Sequence, residues 1–127
     1  MEVRSTTSEE KAILGRRASV LFLENDFLVA VRDGEIASFL VWRRIAPDEC
    51  EILQLETLAP FRRLGLARRL LLELEKHNPG ILFLEVRPSN HAARQLYESY
   101  GFIEIGIRQN YYADPVEDAI VLKFRPC

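Results

Sequence analysis

The sequence predicts an α/β fold of the α+β kind, a mixed and mostly antiparallel twisted sheet flanked by helices, in a single domain over residues 1–127. Three observations carry this expectation. Residues 26–45 hold two apolar stretches around Asp33-Gly34, a pair that tolerates the positive φ of a tight hairpin turn. Ala67, Leu70, Leu71 and Leu74 recur at i, i+3, i+4 and i+7, which puts them on one helical face. ILFLEV, residues 81–86, is a short continuous apolar run between Asn78-Pro79-Gly80 and a second helical pattern.

Taken in order, EVRST alternates like a short first strand. Thr7 and Glu10 have capping-box spacing, so a helix is expected from about Ser8 to Arg17. SVLFLE, 19–24, suits either the end of a second helix or a short buried strand. DFLVAV and EIASFLVWRRI form the hairpin around Asp33-Gly34, and CEILQLETL is another strand candidate that Ala59-Pro60 ends. The leucine-rich helix stops at Asn78-Pro79-Gly80. ILFLEV reads as a strand covered on both faces. Asn90 caps the helix HAARQLYESY, and Gly101 terminates it. FIEIGIR and DAIVLKF close the sheet, joined by a long loop holding Tyr111, Tyr112 and Pro115.

Composition removes several classes of function. The formal charge of -2 gives no global attraction to nucleic acid or anionic lipid. No apolar run approaches the roughly 20 residues of a membrane span. The polar start MEVRSTTSEEK lacks a signal peptide's apolar segment, so a cytoplasmic location is expected. Cys50 and Cys127 show no metal-ligand spacing and read as free thiols, with no metal site expected. His77 and His91 read as surface residues.

PFRRLGLARRLLLELE, 60–75, is the unusual stretch. A helix N-terminus offers unpaired amides and partial positive charge, and so binds phosphate. Gly65 and Ala67 would let an anion approach, with Arg62, Arg63, Arg68 and Arg69 nearby. The alternative is a solvated basic helix face with one tolerated glycine. The segment lacks the Lys-Ser/Thr pair of a P-loop and the GxGxxG of dinucleotide folds.

Arg62-Arg63-Leu64-Gly65-Leu66-Ala67 resembles the Arg/Gln-x-x-Gly-x-Gly/Ala pyrophosphate loop of the GNAT superfamily of N-acetyltransferases. LEVRPSNHAARQLYESYGF, 84–102, resembles the superfamily's second segment. IRQNYY, 107–112, and EDAIVL, 117–122, resemble the tail of bacterial ribosomal-protein alanine N-acetyltransferases and related protein Nα-acetyltransferases. Two departures stand out. The chain is one residue short between Pro60 and Gly65, and its N-terminal helical region is shortened and lacks the aromatic-proline-tryptophan segment.

The resemblance implies acetyl-CoA as cofactor and transfer of its acetyl group to a primary amine. It implies cofactor contacts at Thr57, Leu58, Arg62, Arg63, Leu64, Gly65, Leu66, Ala67 and Asn90; Asn90 is equally a plain helix cap. It implies Glu85 as general base, and Tyr97 as the acid that protonates the departing sulfur. An oxyanion would be held by a backbone amide near Leu58. Glu85 is alternatively a strand-end carboxylate paired with Arg87 or another arginine, with Glu56 the next candidate base. Tyr97 is alternatively a core aromatic packed on Leu96. Glu56, Tyr111 and Tyr112 are implied on the acceptor side. The acceptor expected is the α-amino group of a protein or peptide, a ribosomal protein among the candidates, and the enzyme a monomer or homodimer. The competing functions are acetylation of a small amine and silent CoA binding.

Overall fold

The computed structural model describes residues 2–5, 26–62, 64–78 and 80–126. The helix expected over 8–17, the stretch 19–24, the shortened N-terminal region, Arg63, Pro79 and Cys127 lie outside these residues. Among the described residues seven strands form one sheet: β1 (Glu2–Ser5), β2 (Asp26–Arg32), β3 (Glu35–Ala46), β4 (Glu49–Thr57), β5 (Ile81–Val86), β6 (Ile103–Tyr112) and β7 (Glu117–Phe124). Their spatial order is β1-β2-β3-β4-β5-β7-β6. Helix α1 (Leu66–His77) joins β4 to β5, and α2 (His91–Tyr100) joins β5 to β6. This is the expected α+β class. Among the described residues the single parallel pair is β4 with β5, and every other pairing is antiparallel.

Local chemistry explains the elements. Asp33 (φ 53°) and Gly34 (φ 79°) both take the left-handed conformation that a two-residue hairpin requires. α1 buries Leu66, Leu70, Leu71 and Leu74. The buried stripe therefore starts at Leu66 rather than at the expected Ala67, whose small side chain is half-buried and faces a cleft. After α1 the chain must pass close to the β3–β4 turn. A Cβ on Gly80 would collide with the Asp48 carbonyl, and that same carbonyl accepts the Ile81 amide at 2.8 Å. Glycine there lets β5 start beside β4.

One core gathers Leu28, Leu40, Ile52, Leu82, Leu84 and Val86 of the sheet with the α1 leucines and with Tyr97 and Phe102. Phe27, Val29, Phe39 and Val41 form a second cluster on the opposite face.

Two expectations need correction. ILFLEV is not covered on both faces: Leu82, Leu84 and Val86 are buried under the helices, while Ile81, Phe83 and Glu85 alternate to the other face and are half-buried. The long loop after β6 is in fact short. Tyr111 and Tyr112 belong to β6, and only residues 113–116 turn. Asn110, at φ 50°, is absorbed as a ladder irregularity, its amide held by the Asp118 carboxylate at 2.9 Å.

Candidate active site

The parallel pairing of β4 and β5 covers only Glu49–Ile52 against Ile81–Leu84. Beyond it β4 stays with β3 and β5 with β7, so a gap opens in the middle of the sheet. An extra residue in β4, Leu53, lies between the pairs Val41↔Gln54 and Trp42↔Ile52, and such a bulge bends the strand locally. Two adjoining cavities occupy the gap. They share Leu55, Asn90, Ala93 and Tyr97 as walls.

The first cavity, about 540 Å³, extends toward the start of α1 and is lined by Glu56, Thr57, Phe61, Arg62 and residues 65–68 among others. That volume accommodates a bound organic ligand. Gly65 is the N-cap of α1, at φ 74°, and no side chain caps the helix. The amides of its first turn therefore have no intrahelical partner, and among the described residues nothing fills the space beside Gly65. Arg62 donates to the Thr57 carbonyl at 3.2 Å, and Arg68 lies over the Tyr100 ring. This uncapped, basic and open turn fits a diphosphate.

Thr57 is fixed from below by Ser38, which is fully buried. The Ser38 hydroxyl donates to the Glu56 carbonyl at 2.8 Å and lies 3.0 Å from the Thr57 hydroxyl. With its own hydrogen spent, Ser38 accepts from Thr57. The Leu58 amide donates to the Ala37 carbonyl at 2.9 Å, so Leu58's own amide is committed to β3, and a donor near it must come from a neighbouring residue. Strand alternation turns the Leu55 and Thr57 amides to the open edge instead.

The second cavity includes Leu53, Gln54, Leu84, Glu85, Arg87 and Tyr112. Glu85 and Tyr97 come from opposite sides of the sheet and meet at this opening: Tyr97 rises from α2 on the helical face, and Glu85 alternates to the other. The Glu85 carboxylate is mostly shielded and pairs with Arg108 Nε at 3.2 Å. It also accepts from the Tyr111 hydroxyl, which with burial pushes that phenol up to about 12. Burial of Tyr97 raises its hydroxyl well above the ordinary tyrosine value, with Tyr112 adding to the shift. That hydroxyl has no hydrogen-bond partner among the described residues. Its ring packs edge-on against Phe102. Asn90 Oδ1 accepts the Ala93 amide at 3.2 Å, so Asn90 caps α2 and also lines the cleft.

The structure thus brings together Glu56, Thr57, Arg62, Gly65, Leu66, Ala67, Glu85, Asn90, Tyr97, Tyr111 and Tyr112. Leu58 and Leu64 do not line the cleft; Leu64 is exposed. Glu85 pairs with another arginine, Arg108, as the alternative reading allowed, and Arg87 pairs with Glu117. Sequence reading missed Arg108 and Ser38. A lone hydroxyl within the apolar run IASFLVW was a usable signal for Ser38, whereas the Arg108–Glu85 contact spans β7 and leaves no local pattern. His77 and His91 are exposed, with His77 beside Glu73 at 3.2 Å. Cys50 is a buried free thiol.

The family model described as Acetyltransferase (GNAT) family matches residues 3–102. The [ribosomal protein bS18]-alanine N-acetyltransferase of Escherichia coli K12 is 42% identical over 97 residues, which cover 72% of this chain and 65% of that protein. The chain therefore spans about two thirds of that relative's length. The Haemophilus influenzae protein of the same name is 32% identical over 102 residues, covering 75% of this chain and 68% of that one. Among solved structures, the E. coli ribosomal-protein-S18-alanine N-acetyltransferase superposes with a TM-score of 0.80 at 31% identity, covering 97% of this chain and 92% of that chain.

Proposed function

From its membership of the acetyltransferase (GNAT) family, to which this chain belongs, we propose that it transfers an acetyl group from acetyl-CoA to the α-amino group of a protein or peptide. The observation that carries this is the sheet gap, with an uncapped helix start on one side, Glu85 on the other and Tyr97 in the shared wall. The E. coli and H. influenzae relatives are named for an alanine N-terminus of a ribosomal protein, which supports a protein acceptor.

Acetyl-CoA, when bound, supplies an activated acetyl thioester. The first-turn amides of α1, with Arg62, would hold its diphosphate, and the open edge of β4 at Leu55 and Thr57 would take its arm. Asn90 borders the same channel. An α-amino group has a pKa near ~8 and is mostly protonated at neutral pH, so a base must take a proton before it attacks. Glu85 takes it, directly or through one water, on the face opposite the helices. Tyr97, held neutral because burial disfavours the phenolate, would give its Oη proton to the sulfur as the C–S bond breaks, and the second proton shed by the nitrogen as the amide forms would restore the phenol. Whichever of the Leu55 and Thr57 amides the arm leaves free would meet the developing negative charge. Glu56 and Tyr112, with Tyr111 beside Glu85, border the entry for the acceptor.

Labelled acetyl-CoA offered with a panel of short peptides, N-terminally blocked peptides and polyamines tests this. Label on free peptide N-termini is expected. Label on polyamines alone makes it a small-amine enzyme, and cofactor binding without transfer makes it a silent binding module. Gly65→Glu should abolish acetyl-CoA binding in calorimetry with the fold retained; undiminished affinity would remove α1 from the cofactor site.

A further inference from the structure

Resting on the acceptor reading above, we propose that Arg87 is a positioning residue that ties the acceptor-side hairpin to the cofactor-side turn and thereby sets acceptor affinity. Its guanidinium reaches across 26 to 30 residues of sequence. Nη2 donates to the Ala113 carbonyl at 2.9 Å, and Nη1 to the Pro115 carbonyl at 3.0 Å and to Glu117 Oε1 at 3.2 Å. The guanidinium carbon lies 4.4 Å from the centre of the Tyr112 ring. Glu117 completes the tie from the other strand: Oε2 accepts the Ser89 amide and Oε1 the Ser89 hydroxyl, both at 2.9 Å. One planar cation therefore satisfies two carbonyls of the 113–116 turn, faces a tyrosine and pairs a carboxylate that grips the turn before α2. A lysine has neither the fork nor the plane for this.

The placement gives the tie its function. On one side it holds Tyr112, on the other the Ser89-Asn90 turn, and Tyr112 and Asn90 wall the same cavity. None of its polar partners belongs to either apolar cluster, so losing it frees the hairpin without opening the core. The mouth facing Glu85 is then no longer held in one shape, and a peptide must order it on binding. The cofactor side keeps α1 and β4 unchanged.

Hydrogen–deuterium exchange and steady-state kinetics on Arg87→Ala and Arg87→Lys, compared with the wild type, test the proposal. In both variants the amides of 111–117 should exchange faster while those of β2 and β3 keep their protection. The KM for peptide should rise about tenfold for Arg87→Ala, as expected for loss of one charge-assisted tie, with kcat and the acetyl-CoA KM nearly unchanged. Arg87→Lys should recover little. Should Arg87→Ala fail to fold, Glu117→Gln, which keeps shape and removes charge, should move the same two readouts less far in the same direction. Unchanged exchange at 111–117 overturns the tie. Faster exchange with an unchanged peptide KM, or a lower kcat with both KM values unchanged, overturns the positioning role. A wild type that labels no peptide overturns the acceptor reading instead, and the exchange data still decide whether Arg87 holds the hairpin.

Discussion

Tyr97 is nearly fully buried, yet its hydroxyl is unbonded among the described residues and walls both cavities. A neutral phenol at the cleft has a proton to give, although burial makes it the weaker acid, and packing alone does not call for its hydroxyl, since a phenylalanine would fill the same ring position against Phe102. Tyr97→Phe should lower kcat by roughly 10²-fold and leave acetyl-CoA affinity within about twofold, read by steady-state kinetics and calorimetry. Equal turnover in the two proteins would return Tyr97 to the core. Glu85 shows what a motif can and cannot reveal. Its place at the end of β5 was legible from LEVR, but its partners were not. Arg108 and Tyr111 reach it from β6 across the intervening β7, and nothing in the spacing of 85, 108 and 111 announces a contact that only sheet order creates.

Elements whose ends carry local chemistry were readable. The Asp33-Gly34 turn, the Asn90 cap and the glycine ahead of α1 each have one physical solution, and the chain adopts it. β6 was misread because Asn-Tyr-Tyr-Ala-Asp-Pro carries turn residues. The ladder with β7 tolerates Asn110 at positive φ because Asp118 holds its amide, a tertiary effect that overrides the local signal. β5 was misread because a fully apolar run does not state how many of its faces will be covered. Gly80 makes the element scale testable. Gly80→Ala places a methyl group against the Asp48 backbone and should cost about 1–3 kcal/mol in urea unfolding, with β5 displaced from β4. Unaltered stability would show that the β3–β4 turn yields freely.

Across the whole molecule, all four tyrosines sit where ionisation is disfavoured. Burial leads at Tyr97, Tyr100 and Tyr112; at Tyr111 the leading cause is its bond to Glu85. Unfolded tyrosines lose their protons near pH ~10, whereas the native ones keep theirs. Stability from this source is complete below that pH and is lost as pH rises toward the native values, about 12 for Tyr111. A phenolate absorbance titration should therefore stay flat past pH ~10 and then rise together with loss of the far-ultraviolet circular dichroism signal. A smooth titration at the ordinary tyrosine value in folded protein would contradict this. The break between β4 and β5 has one more consequence. It pierces the sheet from face to face, so under the proposed function donor and acceptor would use separate doors, and neither product would obstruct the other's exit.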